Sequence, residues 1–133
     1  MPTGAAGWYN RPMVIVAVDD LLFSSKIRAA AKQAGVELTF ARTPAEVLDR
    51  ARELKPRLVV FDLNSAKVDP IGTIAAMKKD PALAAISTVG FVSHVDAATI
   101  AAARQAGADH VLARSAFASQ LAEILVAGGS GQS

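Results

Sequence analysis

The sequence predicts an α/β domain, a doubly wound five-stranded parallel sheet with helices on both faces. Three observations carry this. Short apolar runs alternate with segments of helical periodicity, in the order βαβαβαβαβα. The first run, Met13–Val18 (MVIVAV), is apolar throughout, as a strand buried on both faces should be. The connections are short, and right-handed crossovers between parallel strands then place helices on both sides of the sheet. The 133 residues suit a single domain, which is typically about 100–150 residues long.

Each element has its own signals. After the Met13–Val18 strand, Leu22, Ile27, Ala30 and Ala34 fall at helical spacing within Leu21–Ala34, and Gly35 suits a left-handed C-cap. Val36–Ala41 (VELTFA) alternates as a second strand. Thr43-Pro44-Ala45-Glu46 opens a helix as a capping box with proline in the first turn. That helix should end near Lys55, because Pro56 disfavours helical geometry before it. Leu58–Phe61 (LVVF) is the third strand, closing on Asp62. Asp69-Pro70 starts a helix to about Lys79, and Asp80-Pro81 breaks it. Thr88–Val92 is the fourth strand. Asp96 caps a helix over Ala97–Ala106, which Gly107 stops. Asp109–Ala113 is the fifth strand, and Ser115 is expected to cap a last helix to about Ala127, before Gly128-Gly129. The domain is expected to span 13–127, with flexible tails at 1–12 and 128–133. On the first tail, Trp8 and Tyr9 are expected to pack loosely on their own domain.

Composition excludes several chemistries. There is no cysteine, so disulfides, thiolate–zinc sites and thiol nucleophiles are absent, and two histidines do not make a histidine-rich metal site. Fourteen Lys and Arg against twelve Asp and Glu leave +2, spread along the chain, and 5% aromatic residues make no base-stacking platform. The pI near 9.2 marks no basic patch, so no nucleic-acid partner is expected. The longest stretch free of Lys, Arg, Asp and Glu, Pro81–Val95, is shorter than the ~20 residues a membrane span needs. The first twelve residues lack the apolar core of a signal peptide. A cytoplasmic protein with no membrane partner is expected. Arg50, Arg52, Lys78 and Lys79 are expected on solvated helix faces.

The chemistry gathers at one edge. In a parallel sheet all strands end at the same rim, and ligands bind there at the topological switch point. The first strand delivers Asp19 and Asp20, the third Asp62, the fourth Ser93 and the fifth Arg114. In the common flavodoxin-like order 2-1-3-4-5 the first and third strands are neighbours, which brings the three carboxylates close. Two carboxylates ~5 Å apart repel by ~3 kcal/mol at an effective dielectric of ~20. A hard divalent cation offsets this with oxygen ligands, and a phosphate beside it would meet the Ser93 hydroxyl and the Arg114 fork.

These residues resemble the receiver domain of two-component response regulators, over about Met13 to Ala127. VIVAVDD matches that family's acidic pair at the end of strand one. LVVFDLN matches its phosphoacceptor strand, GFVSH its fourth-strand Ser or Thr, and Ala106-Gly107-Ala108-Asp109 the turn before its fifth strand. The resemblance implies that Asp62 accepts a phosphoryl group from a histidine kinase or a histidine phosphotransfer protein. It implies Mg²⁺ held by Asp19, Asp20, Asp62 and the backbone carbonyl of Asn64, with Ser93 contacting the acyl phosphate. It also implies a signalling domain rather than an enzyme, limited to self-phosphorylation and self-dephosphorylation.

The chain departs from the family at the fifth strand. Arg114 stands where a lysine is usual, and the two side chains are not interchangeable. Ser115 stands where a proline usually follows through a cis bond. A cis bond before Ser115 would cost ~2.5–4 kcal/mol, so a trans bond and a reshaped loop are expected. Val111 is too small for the aromatic switch position, and His94 crowds the site beside Ser93. These departures leave two functional expectations. One is a stand-alone phospho-accepting receiver, signalling to a downstream protein through the fourth-helix, fifth-strand and fifth-helix face, with homodimerisation open. The other is a pseudo-receiver that works by protein contact without phosphorylation. A haloacid-dehalogenase-like phosphatase is a remote third, because Asn64 stands where its second Asp is needed. A dinucleotide-binding domain fails for want of a glycine-rich turn after strand one.

Overall fold

The computed structural model describes residues 12–94 and 96–127; apart from Pro12, the two expected tails, with Trp8 and Tyr9, lie outside the described residues. The strands are β1 (Met13–Ala17), β2 (Glu37–Phe40), β3 (Leu58–Asp62), β4 (Ser87–Val92) and β5 (His110–Ala113). They form one parallel sheet in the order β2-β1-β3-β4-β5, as expected. The helices are α1 (Leu21–Ala34), α2 (Pro44–Leu54), α3 (Pro70–Lys79), α4 (Ala97–Ala106), α5 (Arg114–Ser119) and α6 (Leu121–Ala127). No helix among the described residues is long and apolar enough to cross a membrane.

Two apolar cores sandwich the sheet, and the two-residue period of the strands sorts side chains between them. Val14, Val16, Leu58, Val60, Val89 and Phe91 face Phe23 and Ile27 of α1, Phe117 of α5, and Leu121, Ile124 and Leu125 of α6. Ile15, Ala17, Val59 and Phe61 face Val47 and Ala51 of α2, Ile74 and Met77 of α3, and Ala103 of α4. This is why β1 and β3 read as unbroken apolar runs: both of their faces are covered. Phe23, Phe91 and Phe117 form an aromatic trio, with centroids 5.0, 5.9 and 5.0 Å apart and only Phe91 and Phe117 stacked, and such pairs add about 0.5–1.5 kcal/mol each beyond burial.

Most caps form as the sequence predicts. Gly35 and Gly107 close α1 and α4 in the left-handed region (φ 73° and 111°), which glycine enters without strain. Asp96 accepts the Ala98 and Thr99 N–H groups at the start of α4.

Other details differ. The Thr43 hydroxyl accepts the Glu46 N–H, but Glu46 reaches back one residue farther than a capping box requires, to the Arg42 N–H at 2.7 Å. The last helix is two short helices joined at Gln120, and Ser115 does not cap it. The chain turns helical directly after β5, so Arg114 takes the first position and Ala113, whose methyl group cannot accept a hydrogen bond, the cap. All peptide bonds of the described residues are trans, including the one before Ser115. Lys78 is not a solvated charge. Its ammonium donates to the Ala84 and Ile86 carbonyls and to Asp109, locking the end of α3 to the start of β5. Arg52 does stay exposed on its helix face, while reaching across to Asp80 at 3.1 Å.

Candidate functional site

The parallel register sets the site. β1 and β3 are neighbours with Ala17 opposite Phe61, so Asp19 and Asp20 emerge past the end of one strand beside Asp62 at the end of the other. This is the switch point of the sheet: β1 continues to β2 on one side, while β3 leads to β4 on the other.

Each carboxylate has a different environment. Asp20 is the N-cap of α1: its Oδ1 accepts the Leu22 and Phe23 N–H groups at 2.9 and 3.1 Å. Its Oδ2 accepts Arg114 Nη2 at 2.9 Å. The Phe23 N–H above all, with help from Arg114 and against some burial, holds the Asp20 carboxyl below the usual carboxylate range. Asp19 is exposed, with the Lys67 ammonium 3.4 Å from its Oδ2. Asp62 is half-buried, and its Oδ1 accepts the Asn64 N–H at 3.0 Å. Burial pushes its carboxyl up. The Asn64 N–H and the Arg114 charge offset part of this, and the charges of Asp20 and Asp19 add to it. Asp62 therefore senses the charges of both Asp20 and Asp19.

The remaining predicted residues divide. Asn64 joins the site through its side chain, whose Oδ1 accepts the Ser93 N–H at 2.7 Å and so ties the end of β4 to the loop after β3. Ser93 is exposed, and its hydroxyl makes no hydrogen bond among the described residues, which leaves it available to a ligand. Arg114 differs from the expectation that it stands with Ser93 over the acceptor. From the end of β5 its fork crosses the rim to Asp20, and its guanidinium lies 4.4 Å over the Phe23 ring. The long, planar, weakly hydrated guanidinium both stacks and pairs there, which a compact ammonium does poorly.

Two contributors escape a reading of the sequence. Phe23 is the shelf under Arg114, but its position on the buried face of α1 marks it only as a core residue. Lys67 pairs with Asp19 from the β3–α3 loop, where no periodicity assigns a direction.

Among the described residues no three His, Cys, Asp or Glu side chains form a ready-made metal cluster. The donor set is nevertheless all oxygen and suits a hard cation. Mg²⁺ commonly takes only one or two carboxylates and keeps several waters. Asp19 and Asp62 are the carboxylates that could meet that requirement, while Asp20 already accepts three hydrogen bonds.

No protein-family model and no curated protein matches the sequence. Solved structures do match the fold. A response regulator from Hahella chejuensis superposes with a TM-score of 0.80 at 19% identity, over 92% of this chain and 98% of that one. The phosphorylated cyanobacterial phytochrome response regulator RcpA gives 0.73 at 23% identity, over 88% and 90%. The Mn²⁺-bound form of the response regulator Rcp1 gives 0.72 at 18%, over 85% and 91%. The fold is that of a response-regulator receiver domain.

Proposed function

We propose that this chain is a phospho-accepting receiver that takes a phosphoryl group on Asp62 in two-component signalling. The observation that carries the reading is Asp62 itself: a half-buried carboxylate at the switch point, held by one N–H and flanked by two more acids and an unengaged serine hydroxyl. The Asn64 N–H orients the carboxylate, so the second oxygen can attack. An Asp62 O–P bond forms as the P–N bond of a phosphohistidine breaks, and the electron pair leaves with the imidazole. With acetyl phosphate a P–O bond breaks and acetate departs. Positioning and charge stabilisation supply most of the rate in phosphoryl transfer. Ser93 can donate its hydroxyl to a phosphoryl oxygen, and Arg114, which pairs with Asp20 through Nη2, keeps further N–H donors.

A similar fold holds Mn²⁺ in Rcp1, and the oxygen donors here support a divalent cation, Mg²⁺ in the cell. Asp19, Asp62 and the Asn64 carbonyl would hold it, with Asp20 as a further ligand. When bound, such a cation neutralises the charge that develops on the phosphoryl oxygens. The phosphodonor would be a histidine kinase or a phosphotransfer protein, and the output a protein docking on α4, β5 and α5. Beyond its own phosphorylation and dephosphorylation the domain would catalyse nothing.

The Arg114–Asp20 pair favours one second reading, a pseudo-receiver whose acidic site is neutralised from within. One experiment separates the two. Incubation with acetyl phosphate and Mg²⁺ should add one phosphoryl mass to the wild type and none to Asp62→Asn. A wild type that binds Mg²⁺ but gains no mass would establish the pseudo-receiver instead.

A further inference from the structure

We infer that Arg114 withholds Asp20 from a divalent cation and thereby sets the cation affinity of the acidic site. The inference rests on the reading above, that the site takes a cation, and concerns which residue limits it. An ionised carboxylate offers about four lone-pair positions. At Asp20 three are filled, by the Leu22 N–H, the Phe23 N–H and Arg114 Nη2. The first two belong to the opening turn of α1 and cannot leave without unwinding it. The third is the only one that can exchange.

Arg114 is held there from two directions, by Asp20 at 2.9 Å and by the Phe23 face at 4.4 Å. Phe23 is itself fixed in the trio with Phe91 and Phe117, so the shelf does not move away. Asp19 is held far less firmly. Its Lys67 partner is 3.4 Å away and 70% exposed. A cation therefore recruits Asp19 and Asp62 readily, whereas the one position still open at Asp20 lies on the oxygen that already accepts the guanidinium, whose positive charge repels an ion there until it moves away. Arg114 is thus an internal competitor for the metal and a determinant of its affinity.

The test is a double-mutant cycle on Mn²⁺ affinity, read by the electron paramagnetic resonance signal of free Mn²⁺ in solutions of the full chain. The proteins are the wild type, Arg114→Gln, Asp20→Asn and the double variant. Asparagine caps helices as well as aspartate, so Asp20→Asn keeps α1 intact, and circular dichroism checks the fold of each variant. Arg114→Gln should tighten Mn²⁺ binding about tenfold. Asp20→Asn should weaken it several-fold more in the Arg114→Gln background than in the wild type, because only there does Asp20 ligate the ion. Equal losses in both backgrounds, or no tightening in Arg114→Gln, would overturn the competition while leaving the cation site in place. Absence of Mn²⁺ binding in all four proteins would overturn the competition together with the cation part of the functional reading, but not acceptance at Asp62, which the mass experiment tests separately.

Discussion

Arg114→Ala is the perturbation whose cost the structure defines best. The side chain makes one charge-assisted hydrogen bond, to Asp20 at 2.9 Å, and one stacking contact, over Phe23 at 4.4 Å. Both members of the ion pair are more than a third exposed, so solvent screens it and the value belongs to the surface range, at most about 1 kcal/mol. The cation–π contact adds about 0.5–1 kcal/mol at such a site. Arginine and alanine are both good helix formers, so propensity contributes little. The expected loss is about 1–2 kcal/mol, which lowers Tm by roughly 4–8 °C for a domain of this size. Urea unfolding of the wild type, Arg114→Ala, Asp20→Asn and the double variant isolates the pair, with an expected coupling of about 0.5–1 kcal/mol that shrinks in high salt. A coupling within error of zero, or a cost independent of salt, would refute the assignment of Arg114 to Asp20.

Asp62→Asn should stabilise the metal-free protein. Burial raises the Asp62 pKa above its free-chain value of 3.8, so the folded state binds its proton more tightly than the unfolded chain. The contribution of this group to stability is therefore largest in acid and declines as pH rises through the raised value. The Tm advantage of Asp62→Asn over the wild type should accordingly grow from acid towards neutral pH; an advantage that shrinks instead would contradict the burial argument. Asp109→Ala should cost about 2–3 kcal/mol in urea unfolding, because its carboxylate accepts the Thr88 N–H, the Thr88 hydroxyl and the Lys78 ammonium, all of which would be left without it. Gly90→Ala should cost about 1–3 kcal/mol by the same assay, since a Cβ there would stand 2.8 Å from three carbons of the Leu63 side chain, directly beside Asp62.

The sheet was legible because its signals are local and redundant. β1 is apolar on both faces because two cores cover it, and the alternation Val14/Ile15/Val16/Ala17 divides between them residue by residue. Caps such as Asp96 and Gly107 are legible for the same reason: a short polar side chain or a residue free of Cβ acts on neighbours two to four positions away. The break of the last helix at Gln120 was not legible, because Ser115 is a plausible cap and nothing nearby forbids one long helix. The chain is already helical at Arg114, and that short helix closes at Gln120, whose N–H donates to the Ala116 and Phe117 carbonyls. Lys78 was misjudged for a related reason. Its partners lie on the α3–β4 connection and at Asp109, distances along the chain that periodicity does not span.

The acidic rim follows from topology alone, since strand order places the ends of β1 and β3 side by side wherever the loops go. The direction of Arg114 does not follow from topology. A guanidinium at the end of β5 can point to Ser93, to Asp62 or across to Asp20, and either carboxylate satisfies its charge. The choice is made by Phe23, which offers a second attraction only in the last direction. Phe23 is three residues after Asp20, so the helix that Asp20 caps also carries the ring beneath the arginine. The capping residue, the ring and the ion pair are consequently one unit, and a change in Arg114 is felt first at the N-terminus of α1. A phosphoryl group on Asp62 that draws the guanidinium away would release Asp20 at the same moment, coupling the acceptor to the first helix through a single side chain.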